Sequence, residues 1–175
     1  MSVGAQPLLS RRSAIALLIA LAVCFAASVI GGALTRPNLE WYATLTKPSF
    51  APPNAVFPIV WPILYAMMAV AAWLVWRSGG DAGDKKTALV WFGIQLAINV
   101  LWSFAFFWMQ SPSFGFGVIM VLLVAIVITI VFFDRLSRAA ALLLLPYLLW
   151  VCFATGLNFM IWVLNSGIDF TQAPS

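Results

Sequence analysis

AAALLLLPYLLWVCFATGLNFMIWVL, residues 139–164, contains no Asp, Glu, Lys or Arg. A helix rises about 1.5 Å per residue, so about 20 apolar residues cross a hydrocarbon core of about 30 Å. The run is long enough to span, and it is continuously apolar. A barrel strand would instead be short and alternating. Four more runs of this kind lie upstream, at roughly 13–34, 54–76, 87–109 and 114–133. The expected fold is therefore an all-α membrane protein, a bundle of five transmembrane helices over residues 13–166. Residues 1–12 and 167–175 are read as tails, and 36–53 as a lid loop. Composition agrees: 64% of the 175 residues are hydrophobic and 8% charged, with mean hydropathy +1.05. Soluble domains carry about 25% charged residues.

The charges sort by side. Arg11 and Arg12 precede the first run, Arg77, Lys85 and Lys86 separate the second from the third, and Arg135 and Arg138 separate the fourth from the fifth. The other side has Arg36 and Lys47. The positive-inside rule then puts the N-terminus in the cytoplasm, if the membrane is a bacterial inner one. The basic residues need no nucleic acid to explain them. The stretch SRRSAIALLIALAVCFAAS also has the layout of an export signal, with Ala26 and Ser28 at a candidate cleavage site and an Arg pair ahead of it. Against cleavage, the apolar run continues through Gly31, Gly32 and Leu34, long enough to span.

The interior of the runs lacks ionisable groups: none falls between Pro48 and Trp76, Thr87 and Phe133, or Ala139 and Ile168. Charge-coupled pumps and voltage sensors need such groups. The sequence has no His, so neither a metal nor a haem can take an imidazole ligand. No metal site is expected. Cys24 and Cys152 sit within apolar runs and read as small hydrophobes.

Polar and aromatic residues in the runs form stripes at helical spacing. Gln95, Asn99 and Ser103 share one face of the third run, with Trp91, Trp102 and Phe106 on or beside it. The second run carries Phe57, Trp61, Tyr65 and Met68, and the fifth Tyr147, Trp150, Ala154, Leu157 and Asn158. Two readings fit each stripe. One is interhelical packing glued by amides and hydroxyls. The other is the wall of a pocket for a planar apolar ligand, rich in flat π surface with few polar anchors. Trp73, Trp76, Trp108 and Trp162 fall near run ends, as interfacial belt residues do. Trp41, Trp61, Trp102 and Trp150 are the functional candidates.

WYATLTKPSFAPPNAVFPIVWP, residues 41–62, joins the first two runs. The chain is expected to leave the first helix at Arg36-Pro37, to be stiffened by Pro48, Pro52 and Pro53, and to start the next helix with Asn54 as N-cap. Pro62 should bend that helix and free the Pro58 carbonyl toward a cavity. The segment reads as a rigid aromatic lid over the outer mouth of the bundle.

Trp41, Tyr42, Leu45, Lys47, Pro48, Phe50, Pro52 and Pro53 spell W-Y-x-x-L-x-K-P-x-F-x-P-P. F-P-x-x-W follows at Phe57, Pro58 and Trp61, then N-x-x-W-S at Asn99, Trp102 and Ser103, P-Y-x-x-W at Pro146, Tyr147 and Trp150, and A-T-x-L-N at Ala154, Thr155, Leu157 and Asn158. The ordered set, over about residues 14–165, resembles the TspO/MBR family, the tryptophan-rich sensory proteins related to the mitochondrial translocator protein and peripheral-type benzodiazepine receptor. The resemblance implies a five-helix bundle, commonly a homodimer, whose ligand pocket is closed by the first loop. Family ligands include protoporphyrin IX and other haem-pathway tetrapyrroles, sterols, isoquinoline carboxamides and benzodiazepines. Porphyrin would be a ligand here, with no cofactor required. Positions matching family pocket residues are Tyr42, Pro52, Phe57, Trp61, Asn99, Trp102, Ser103, Trp150, Ala154 and Leu157; Tyr147 joins them from its stripe. Some bacterial members degrade protoporphyrin in light, and Trp61 and Trp150 match the two tryptophans implicated. The family's dimer contact uses small-xxx-small spacing, which Gly93 and Ala97 fit. One departure concerns sterols: LNFMIWVLNSG has Phe159 where the proposed cholesterol motif needs Tyr, and no basic residue follows. Sterol affinity should be low.

Three functions remain open at this stage. One is a tetrapyrrole-binding sensor, receptor or carrier. Another is a light- and oxygen-dependent porphyrin-degrading enzyme. The last is a porphyrin or sterol transporter.

Overall fold

The computed structural model describes residues 10–167. The two expected tails lie outside these, apart from their innermost residues. Helix α1 covers Arg11–Thr35, and after a 3-10 turn at Arg36–Asn38 comes the short α2, Leu39–Thr44. An extended segment and a second 3-10 turn, Asn54–Val56, lead to α3, Phe57–Arg77. Then follow α4, Ala82–Ser103, α5, Pro112–Leu136, and α6, Arg138–Asn165. Five of these helical stretches are long and apolar enough to cross a bilayer, α1 and α2 counting as one path from Arg11 to Thr44. This is a multi-pass membrane protein, with no strand among the described residues.

Helix starts follow local chemistry. Ser10, Ser111 and Ser137 each accept a hydrogen bond from the backbone N–H three residues on, which satisfies a donor the first turn leaves free. Asp81 caps α4 through the N–H of Gly83 at 2.7 Å, so α4 begins in the polar segment ahead of its apolar run. Two expectations need correction. Helix α1 does not end the path at Arg36-Pro37: Pro37 occupies the opening of a 3-10 turn, where its missing N–H costs little, and the chain goes on helically to Thr44. Asn54 makes no capping bond; it opens the 3-10 turn, and α3 starts at Phe57 with Pro58 in its first turn.

The long helices close into a ring in the order α1, α3, α6, α5, α4 and back to α1. The half nearer the basic loops is solidly packed. Phe92 stacks on Phe133 at 5.8 Å, among fully buried Met68, Val75 and Leu144. Trp73, expected to be a belt residue, also ties α3 to the start of α1, its indole N–H donating to the Ser13 carbonyl at 3.0 Å. Close approaches elsewhere rely on small residues. A Cβ on Gly31 would come within 3.3 Å of Ser103 Oγ, and one on Gly115 within 2.9 Å of Phe106.

Past Ser103 the fourth span continues as a π-helical segment, Phe104–Trp108, in which the Met109 N–H reaches back five residues to the Phe104 carbonyl at 2.9 Å. The wider turn brings the neighbours Phe106 and Phe107 to the same side. Such segments concentrate at functional sites.

Candidate ligand-binding site

The outer half of the ring holds a cavity of about 480 Å³, within the usual range for small-molecule sites. Helix α3 contributes Phe57, Trp61 and Tyr65, spaced four apart on one face, together with Pro58 and Pro62. Pro62 has no N–H to return to the Pro58 carbonyl, so that oxygen lacks its helical partner. From α4 come Asn99, Trp102 and Ser103, and from the π segment Phe106 and Phe107. Helix α6 supplies Ala154, Leu157, Asn158 and Ile161. The fourth wall is α1, which offers only small side chains, Ser28, Gly31, Gly32 and Thr35, before Arg36 at the mouth. Tyr42 and Leu39 of α2 cover the top, and Asn54 stands beside them.

The aromatic wall is continuous. Trp61 lies 5.7 Å from Tyr65 and 6.5 Å from Trp102, whose ring is 5.7 Å from Phe106, all at interplanar angles of 28–34°. Tyr42 meets Phe106 edge-on at 6.1 Å. Trp102 is held by its indole N–H, which donates to Asn158 Oδ1 at 3.1 Å, while Asn158 Nδ2 donates to the Pro112 carbonyl at 2.7 Å.

Beneath the rings lies a polar floor. The Tyr65 hydroxyl donates to Asn99 Oδ1 at 2.8 Å, Asn99 Nδ2 to the Tyr147 hydroxyl at 3.0 Å, and Tyr147 to Gln95 Oε1 at 3.0 Å. Gln95 Nε2 then faces Met68 Sδ at 3.9 Å. All four hydrogen-bonding side chains are buried, so the network joins α3, α4 and α6 without an orphaned group.

The lid is anchored to α6. Asn165 Oδ1 accepts from the Thr46 N–H and Asn165 Nδ2 donates to the Thr46 carbonyl, both at 2.9 Å. Gln110 donates to Asn38 Oδ1 at 3.1 Å, and Lys47 lies 4.5 Å over the Tyr42 ring.

Of the residues singled out in the sequence, Tyr42, Phe57, Trp61, Asn99, Trp102, Ser103, Ala154 and Leu157 meet in this cavity. Pro52, Tyr147 and Trp150 are not part of its lining. Tyr147 is fully buried below the floor. Pro52 is half-buried in the lid loop. Trp150 packs on Phe57 at 5.9 Å and on Phe153 at 5.7 Å, so its indole stands behind Phe57 and does not face Trp61 across the cavity. Its Nε1 is buried with no hydrogen-bond partner among the described residues. Trp41 likewise supports from behind, 5.7 Å from Phe106. Gly93 and Ala97 are exposed on the outer face of α4.

The sequence reading missed the α1 wall and the pairing of Phe106 with Phe107. The first had a faint signal: Ser28, Gly31, Gly32 and Thr35 are small residues at helical spacing. The second had none.

Against known proteins, the profile of the TspO/MBR family matches residues 20–163. The chain belongs to the TspO/MBR family. Among its TspO/MBR relatives, the tryptophan-rich protein TspO of Chlorobaculum tepidum is 43% identical over 150 residues, covering 85% of this chain and 95% of the relative. The tryptophan-rich sensory protein of Cereibacter sphaeroides is 40% identical over 145 residues, 83% of this chain and 88% of the relative. The human translocator protein is 40% identical over 135 residues, 74% and 78% respectively. Four of the five TspO/MBR motifs read in the sequence put residues into the cavity wall. The fifth, around Pro146, Tyr147 and Trp150, buttresses it.

Proposed function

We propose that this protein is a membrane receptor or carrier that binds a planar tetrapyrrole such as protoporphyrin IX in the outer half of its helix ring. The observation that carries the reading is the run of near-parallel rings, Tyr65, Trp61, Trp102 and Phe106, along one wall of a single cavity. A flat macrocycle offers such a wall a matching face, and each aromatic contact contributes about 0.5–1.5 kcal/mol beyond area burial. The polar groups at the wall are neutral and few, which suits an apolar ring. Membership of a family whose relatives are named sensory and translocator proteins supports the same reading. The basic loops at the opposite end favour a cytoplasmic N-terminus, so the cavity opens away from the cytoplasm.

Protoporphyrin IX titrated into the purified protein should quench tryptophan fluorescence saturably, with Kd on the order of 1 μM, about −8 kcal/mol. A helically intact sample that shows no saturable quenching would refute the binding reading.

A second reading, light-driven porphyrin oxidation by oxygen, draws support from one geometric fact. Trp61 lines the cavity with a second indole, Trp102, beside it. An easily oxidised ring in contact with an excited dye is the requirement of that chemistry.

A further inference from the structure

The cavity wall contains one charged residue, Arg36; its other lining residues are apolar or neutral. Arg36 sits on the 3-10 turn at the mouth, exposed, and its guanidinium makes no ion pair or hydrogen bond with another described residue. Glu40, one helical turn on and equally exposed, forms no ion pair with it. The other cation at this end, Lys47, is already engaged, donating to the Leu45 carbonyl at 3.2 Å and covering the Tyr42 ring. Asn54 stands at the same rim, and its side chain makes no capping bond.

An amphiphile with a flat apolar body and an acid group has only one way to enter such a site. Its body can replace lipid against Trp61, Trp102 and Phe106. A carboxylate taken down with it would face neutral walls and lose its water, at large cost. The acid must stay at the mouth, where a planar guanidinium fork matches a carboxylate in two parallel hydrogen bonds.

We propose that Arg36 is the anion anchor of the cavity, holding the carboxylate of an acidic, otherwise apolar ligand at the outer rim and so selecting free acids over neutral analogues. This rests on the tetrapyrrole reading above and narrows it to carboxylate-bearing tetrapyrroles, as against their esters and against sterols.

The test compares protoporphyrin IX with its dimethyl ester, on the full chain in nanodiscs of phosphatidylcholine. The variants are Arg36→Gln, Arg36→Lys and Arg36→Glu. For each ligand, affinity is read as the ratio of variant to unmodified protein, in which unequal partition of acid and ester into lipid cancels. The loss expected for the acid in Arg36→Gln is about tenfold, the size of a hydrogen bond to a charged group. The Lys variant should keep part of that affinity and the Glu variant should fall below Gln. The ester should bind all four proteins alike, which also reports that each is folded. Raising salt should weaken acid binding to the unmodified protein and leave the ester unaffected. If Arg36→Gln binds the acid as tightly as the unmodified protein does, the anchor is refuted while the tetrapyrrole reading stands. An equal loss for acid and ester makes Arg36 a structural residue and refutes the anchor as well. If the unmodified protein binds neither compound, both proposals fall together.

Discussion

Trp61 and Trp150 look equivalent as residues in an aromatic stripe, yet their surroundings differ. Trp61 shares the cavity wall with Trp102, whereas Trp150 is screened from the cavity by Phe57. Phe keeps most of the stacking surface of an indole and loses its N–H and easy oxidation. Trp61→Phe should keep porphyrin affinity within about 1 kcal/mol, the size of one aromatic contact, and should slow any light-driven porphyrin loss. Trp150→Phe should change neither by much, because its ring touches Phe57 and Phe153, and its N–H has no partner to lose. Porphyrin absorbance followed under illumination checks both. Equal slowing by the two variants would mean that the second indole reaches the dye. Why the sequence could not separate the pair is a matter of angle. Successive positions on a helix differ by about 100°, so a stripe of Tyr147, Trp150, Ala154 and Leu157 spans both the inward line and its shoulder. Only the position of α3 decides which side of Phe57 a neighbouring ring occupies.

Among the elements, the first loop carries the most information and was read only in part. Its aromatic and proline content announces a rigid cover. It does not reveal that Pro37 opens a turn and lets the helical path run on to Thr44. The π segment at Phe104–Trp108 was illegible for a simpler reason: FAFFW has no proline or glycine to mark a change of pitch. The cover itself is clamped from across the chain, since Asn165 holds both backbone groups of Thr46. These bonds are exposed, and water can replace them, so their net worth is about 0.5–1.5 kcal/mol each. Asn165→Ala should therefore leave the global melting of the bundle nearly unchanged. It should speed amide exchange around Leu45–Lys47 and raise the porphyrin off-rate several-fold, with little effect on the on-rate. Unaltered exchange in that segment would show that the prolines alone hold the cover.

At the scale of the molecule, the five spans were legible because lipid allows few alternatives: a continuous apolar run must satisfy its backbone internally, and a helix does so. The ring order was not legible, since it depends on side-chain fit between helices that look alike in hydropathy. Gly93 and Ala97 mark a smooth strip on the outside of α4, and a Cβ on Gly93 would meet nothing within 4 Å. Large side chains there leave the single chain's packing intact, so a change in assembly can be read without loss of fold. Gly93→Leu combined with Ala97→Leu should shift the particle from dimer to monomer in detergent, by light scattering, with helicity preserved. A double variant that stays dimeric would place the contact on another face; Ala27 and Gly31, with the same spacing, are buried against the bundle and do not offer one.

The polar floor has one further property, a sense of direction. The Met68 thioether can only accept, so it turns the amide nitrogen of Gln95 toward itself. The Gln95 oxygen is left to face Tyr147, which must give it a proton and must therefore receive one from Asn99. Asn99 in turn can meet Tyr65 only with its oxygen. One sulfur atom thus orients every hydrogen in the chain, and the Tyr65 hydrogen is spoken for. At the bottom of the cavity that hydroxyl has only a lone pair left to show, so the floor is a base in the hydrogen-bonding sense. It rewards a guest that brings N–H or O–H to it and offers nothing from Tyr65 to one that brings a bare acceptor.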